Sequence, residues 1–161
     1  MQYKKYLTKE QAFQKLKHYC GYQERCHSEV NTKLYELGVY KNDHAEIISQ
    51  LIEEGYLDEE RFAIAFARGK FRISNWGKVK IKYELKQRQV SDYSIRKALK
   101  ELDEEEYAKT IKKLAEEKYA ALKGEQWLVR RKKTMDYMTG KGYEMNLVDD
   151  IIGELTGKYK S

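Results

Sequence analysis

Two groups of residues in this 161-residue chain have types and spacing that chemistry can use. The first is His18, Cys20, Cys26 and His27. Imidazole and thiolate are zinc ligands, yet these four match the spacing of neither a zinc finger nor a ribbon. Structural cysteines beside exposed histidines are the plainer reading, so no metal and no cofactor is expected. The second group is cationic. From Arg68 to Arg88 the chain carries Arg68, Lys70, Arg72, Lys78, Lys80, Lys82, Lys86 and Arg88 against one acid, Glu84. That surplus of seven exceeds the +6 of the whole protein. Lys78, Lys82 and Lys86 recur every fourth residue, which on a helix makes one stripe of like charge. Repulsion between such neighbours costs about 0.2–0.5 kcal/mol per pair, so the stripe suits a partner better than it suits the helix. A second cluster, Arg130, Arg131, Lys132 and Lys133, is four consecutive residues that point around a helix and cannot all face one partner. Stripes of this kind neutralise polyanions or acidic protein surfaces. Lysines that merely solvate helices are the competing reading, and alternating signs would favour it.

Other chemistry is missing from the sequence. There is no Walker loop, nucleophile elbow, dinucleotide fingerprint or His-Glu-x-x-His. Carboxylate pairs occur throughout, so none identifies an acid/base couple. These features point away from an enzyme and from a small-molecule substrate. Trp76 and Tyr83, beside the basic stripe, have rings that can stack on nucleic-acid bases. With Val79 they also fit an apolar stripe, and core is the expected role. Ile81 and Leu85 make another apolar stripe, so a helix buried on two sides should hold the lysines outward between them.

The elements that position these residues are helical. The chain has no proline, where average usage gives about eight, and proline-free sequence permits long helices. Apolar periodicity and caps predict nine helices: over about 8–20, 25–37 and 42–54, a fourth opened by Asp58 that carries Phe62, Ala63, Ala65, Phe66 and Ala67, then about 76–89, 91–102, 103–122, 126–138 and 146–155. Thr8 and Gln11 form a capping box, and Asp58, Ser91 or Asp92, and Asp103 open later helices. Acids gather at Glu101, Asp103, Glu104, Glu105 and Glu106, largely in a first turn, where the helix dipole favours them. No window approaches the roughly 18 apolar residues of a membrane span, and the N-terminus has no signal-like stretch. A cytoplasmic protein with no membrane partner is expected.

The helices repeat. Leu34, Leu85 and Met138 share a register, and Val39, Val90 and Tyr143 each follow five residues later. Beyond these come Ile47, Ile48 and Leu51, then Ala98, Leu99 and Leu102, then Ile151, Ile152 and Leu155. Each trio lies on one helical face. The pattern predicts an all-α fold of three tandem three-helix repeats, residues 1–56, 57–102 and 103–161, packed in series. A single irregular bundle is the alternative.

At the first join the chain reads Leu51-Ile52-Glu53-Glu54-Gly55-Tyr56-Leu57-Asp58-Glu59-Glu60-Arg61-Phe62-Ala63. This resembles the signature L-x-x-x-G-[YF]-L-[ND]-[DE]-x-R-[FY]-A of RecX regulatory proteins. Trp76-Gly77-Lys78, Ile81, Glu84-Leu85 and Val90 are similar to that family's next segment, and Lys141-Gly142-Tyr143 fits more loosely. Glu24-Arg25-Cys26 through Lys33-Leu34 resembles its first-unit helix, with Cys26 where many members have serine. The resemblance implies an elongated, curved array that binds in the groove of RecA filaments on DNA. It also implies modulation, mostly inhibition, of strand exchange, ATP hydrolysis and coprotease activity, with no catalytic residues. The motif residues Gly55, Tyr56, Leu57, Asp58, Arg61, Phe62, Ala63, Gly77, Glu84 and Leu85 are expected to be structural, with Arg61 paired to Glu53 or Glu54. The basic residues are expected to meet RecA and single- or double-stranded DNA without sequence preference. Two other functions fit the pattern: an independent helical DNA-binding protein, and a helical adaptor for another protein.

Overall fold

The computed structural model describes residues 6–157. Among these residues the fold is all-helical, with nine helices and no strand: α1 (Lys9–Tyr22), α2 (His27–Glu36), α3 (Lys41–Glu53), α4 (Glu59–Ser74), α5 (Lys78–Gln87), α6 (Asp92–Lys100), α7 (Glu104–Ala121), α8 (Trp127–Gly140) and α9 (Met145–Thr156). No described helix is long and apolar enough to cross a membrane.

Side chains set most of the starts. Thr8 Oγ1 accepts the Gln11 N–H at 3.2 Å while Gln11 Oε1 accepts the Thr8 N–H at 3.1 Å, completing the capping box. Asp58 caps α4 through the Arg61 N–H at 3.0 Å, and Asp103 caps α7 through the Glu106 N–H at 2.8 Å. Ser91 caps α6 through the Ser94 N–H at 3.3 Å. Several starts differ from expectation, among them α5, which begins at Lys78 and not at Trp76. α2 is capped by Cys26, whose N–H donates to Glu29 at 3.3 Å, and so begins after Arg25. α3 begins at Lys41 behind Tyr40, one residue before the expected start, and Tyr40 makes no side-chain cap.

The repeated register has a physical origin in the helix ends. The N–H groups of Val39, Val90 and Tyr143 donate to the carbonyls of Leu34, Leu85 and Met138 at 3.0, 3.1 and 3.1 Å. The residue before each donor is left-handed: Gly38 at φ +72°, Gln89 at +61° and Gly142 at +94°. This is the Schellman closure, which satisfies a terminal carbonyl and turns the chain sharply. The five-residue offset is thus one C-cap used three times. Each cap then carries its two apolar residues into the interior, since all six are buried.

The described residues divide into two compact units, 6–66 with 85–98, and 67–84 with 99–157. The first packs α1, α2 and α3 around Leu16, Val30, Leu34, Ile47, Leu51 and Leu57. His44 is buried there, with ring nitrogens 3.0 Å from both Asn31 Oδ1 and the Val39 carbonyl. The second packs α7, α8 and α9 around Tyr107, Ile111, Ala115, Met138, Tyr143, Val148 and Ile152. Full burial of one such aliphatic side chain stabilises by about 1.5–3 kcal/mol.

Candidate nucleic-acid interface

The first amides of any helix lack partners within it. At α5 they find them in the backbone that follows α8. The Gly77 N–H donates to the Lys141 carbonyl at 2.8 Å, and the Val79 N–H to the Gly142 carbonyl at 2.9 Å. Between them the Lys78 N–H donates to the Tyr107 hydroxyl at 3.0 Å, and that hydroxyl donates to the Glu144 carboxylate. Tyr143 closes the arrangement by donating to the Asn75 carbonyl at 2.8 Å. Only glycine lets two backbones come this close. A Cβ on Gly77 would lie 2.3 Å from the Gly142 carbonyl oxygen, and one on Gly142 2.2 Å from Lys80 Cβ. Two motif pieces some 65 residues apart in sequence, Trp76-Gly77-Lys78 and Lys141-Gly142-Tyr143, therefore form one joint that anchors the basic helix. Burial, then the Glu144 hydrogen bond, pushes the Tyr107 hydroxyl far above its ordinary pKa. Burial and the Glu144 charge do the same for Tyr143.

The expected basic residues have different surroundings. Arg68 pairs with Glu101 at 3.2 Å. The ammonium groups of Lys70 and Lys80 lie 4.8 and 4.6 Å from the Trp76 ring, and that of Lys78 lies 4.6 Å from the Tyr107 ring. Arg72 and Lys82 are exposed and form no ion pair among the described residues. Lys86 reaches Asp92 at a long 3.9 Å, and Arg88 lies over Phe66 at 4.7 Å. On α8, Arg130 donates to the Tyr119 carbonyl at 2.7 Å and stacks on its ring at 3.7 Å. Arg131 pairs with Asp149, Lys132 with Asp136 at 3.0 Å and Lys133 with Glu125 at 2.7 Å.

The inward face of α5 agrees with the sequence, because Ile81 and Leu85 are fully buried. The second apolar stripe does not. Val79 is 54 % exposed and Tyr83 60 % exposed, while Trp76 is half-buried. α5 is thus buried on one side only, and its outer face mixes lysines with apolar groups.

The signature residues hold the first unit together. Gly55, at φ +79°, ends α3, and the Tyr56 N–H donates to the Leu51 carbonyl at 2.8 Å. Leu57, Phe62 and Ala63 are buried, and Tyr56 and Glu84 are half-buried. Arg61 pairs with neither Glu53 nor Glu54. It reaches Glu24 at 2.7 Å and the Gly55 carbonyl at 3.0 Å, linking α4 to the segment before α2. Glu59 accepts from the Ser91 N–H and Oγ at 2.6 and 3.0 Å and from Ser94 Oγ at 3.1 Å. Cys20 and Cys26 are free, buried thiols whose pKa burial raises, while His18 and His27 are exposed. No group of three metal-ligating side chains occurs among the described residues.

Sequence reasoning missed the backbone joint and a recurring clasp. Arg25 donates to the Tyr19 carbonyl at 3.1 Å and stacks on that ring at 3.7 Å, as Arg130 does with Tyr119. The Tyr–Arg separations differ, six residues against eleven, so no fixed spacing exposes the pair.

These features define a class: helical proteins whose three-helix units carry a cationic helix pinned by backbone contacts. Comparison with known proteins narrows it. Family models described as "RecX, second three-helix domain" and "RecX, third three-helix domain" match residues 58–99 and 104–152, together more than half of the chain. The regulatory protein RecX of Prosthecochloris aestuarii is 29 % identical over 137 residues, covering 85 % of this chain and 88 % of that protein. The regulatory protein RecX of Lactobacillus johnsonii is 27 % identical over 85 % of this chain but only 51 % of its own, so this chain spans about half of that relative. The crystal structure of RecX from Lactobacillus salivarius superposes with a TM-score of 0.82 at 24 % identity, covering 92 % of this chain and 96 % of that one. The chain belongs to the RecX family of regulatory proteins.

Proposed function

We propose that this protein binds RecA recombinase filaments assembled on DNA and modulates, mostly inhibits, strand exchange, ATP hydrolysis and coprotease activity. The observation that carries the reading is family membership joined to a cationic helix whose first turn is locked in place. Three tandem repeats, 1–56, 57–102 and 103–161, form the scaffold, and the protein acts in the cytoplasm without chemistry of its own. The basic residues from Arg68 to Arg88 supply the polyanion contact, with Arg72 and Lys82 foremost because no carboxylate competes for them among the described residues. Arg130 to Lys133 contribute less, since each already has an internal partner. Phosphate neutralisation releases counterions, so the DNA part of the affinity should fall steeply with salt.

The test is RecA-catalysed, single-strand-dependent ATP hydrolysis with and without this protein. Inhibition by the native protein, lost in an Arg72→Glu/Lys82→Glu variant of unchanged helix content, supports the reading. No effect of the native protein on hydrolysis at stoichiometric excess counts against it.

A further inference from the structure

The outer face of α5 poses a problem that charge alone does not answer. Phosphate contacts need cations, and they do not need an exposed tyrosine. Yet Val79, Lys82 and Tyr83 lie within an arc of about 100° on this helix, opposite Ile81 and Leu85. Val79 is 54 % and Tyr83 60 % exposed, so the two apolar groups stand open beside the Lys82 ammonium.

The rings elsewhere show what usually happens to tyrosine here. Tyr19, Tyr93, Tyr107, Tyr119 and Tyr137 each carry a lysine or arginine over the ring. Tyr6 stacks on Tyr40, and Tyr35 meets His44 edge-on. Tyr83 is set among Lys78, Lys80, Lys82 and Lys86, yet no cation or ring covers it among the described residues. The neighbouring lysines are committed differently: Lys80 turns to Trp76 and Lys78 to Tyr107. An open π-face of 60 % exposure, with Lys82 beside it, is the arrangement that stacks on an unpaired base while a cation holds the adjoining phosphate.

We infer that Tyr83 is a base-stacking residue that gives this protein preference for single-stranded over duplex nucleic acid, independently of any filament protein. The inference rests on the reading of α5 as the nucleic-acid face and specifies its ligand. In a duplex the base faces are covered by their neighbours, so Tyr83 has nothing to stack on and only the cations engage. In a single strand both groups engage. Stacking tolerates any base, so no sequence preference is expected. Val79 supplies an apolar edge one helical turn before the ring.

The experiment is fluorescence anisotropy of labelled oligo(dT) and of a mixed-sequence duplex of equal length, with the full-length protein and no recombinase. Tyr83→Ala should weaken oligo(dT) binding by about 5- to 50-fold and duplex binding by less than about twofold. Tyr83→Trp should restore the single-strand affinity, which a purely structural role would not require. Lys82→Ala should weaken both ligands alike and lower the salt slope by about one. Equal losses on both ligands in Tyr83→Ala, no loss on oligo(dT), or absence of oligo(dT) binding by the native protein would each overturn the inference. Inhibition of RecA-catalysed hydrolysis, measured in parallel, separates the two readings: if it persists in the native protein while Tyr83→Ala leaves oligo(dT) binding intact, only the stacking role is lost.

Discussion

On α8, Arg131, Lys132 and Lys133 pair with Asp149, Asp136 and Glu125, and Arg130 lies over Tyr119. Between Arg72 and Lys82 the cations instead lie over aromatic rings or form no ion pair among the described residues. In sequence the two regions look alike, each a dense run of lysine and arginine. The difference lies in the acids within reach. Three carboxylates surround α8, and no acid occurs from Gly69 to Tyr83. A basic run is therefore a partner surface only after its internal counter-charges have been counted. On α8 they cancel it locally, and at Arg72 and Lys82 they do not among the described residues.

The largest effect that sharpens this comparison is expected from Gly77→Ala. The new methyl group collides with the Gly142 backbone, which cannot move aside as a flexible side chain would, so destabilisation of about 3 kcal/mol is expected in urea unfolding. Native stability in that variant would show the joint between Gly77 and Gly142 to be dispensable. Next comes charge reversal. Arg72→Glu/Lys82→Glu should lower DNA affinity about thirtyfold, roughly 2 kcal/mol, whereas Lys132→Glu/Lys133→Glu should change it by less than about fivefold. Equal losses in the two double variants would erase the distinction between the clusters.

Arg130→Ala should cost about 1 kcal/mol of stability by removing the Tyr119 clasp, and Arg130→Lys should not rescue it, because lysine cannot both stack and donate sideways. A variant with lost DNA binding and intact stability would assign Arg130 to the interface instead. The smallest effect at neutral pH belongs to Tyr107 and Tyr143. Their hydroxyls titrate higher in the folded protein than the ordinary value near 10. Their contribution is whole below about pH 10 and is lost as pH rises beyond it, since the unfolded chain releases those protons first. Urea unfolding between about pH 9 and 11 should show stability falling with pH, with a shallower slope in Tyr107→Phe.

Much of the fold was legible because it depends on neighbours along the chain. Thr8, Asp58 and Asp103 cap helices through residues three positions away, and local spacing reveals that. The register of Leu34, Leu85 and Met138 was legible for the same reason: a Schellman cap fixes the distance from one buried residue to the next. The candidate interface was legible in part. The charge is there to be counted, but the exposure of Val79 and Tyr83 is not, because the helical pattern shows which residues share a face and not whether anything packs against it. Arg61 meets Glu24 and not Glu53 or Glu54, a partner 37 residues away that local spacing does not reveal.

The amino-acid sequence by itself determined the helices, their caps, the threefold register and the cationic excess, since all of these arise from residue type and short-range spacing. The tertiary structure alone decided which cations keep an unopposed charge, that the Tyr83 ring stays open beside Lys82, and that Gly77 meets Gly142. Those outcomes depend on side chains and backbone brought together across tens of residues, and the energies that select them exist only once the chain has folded.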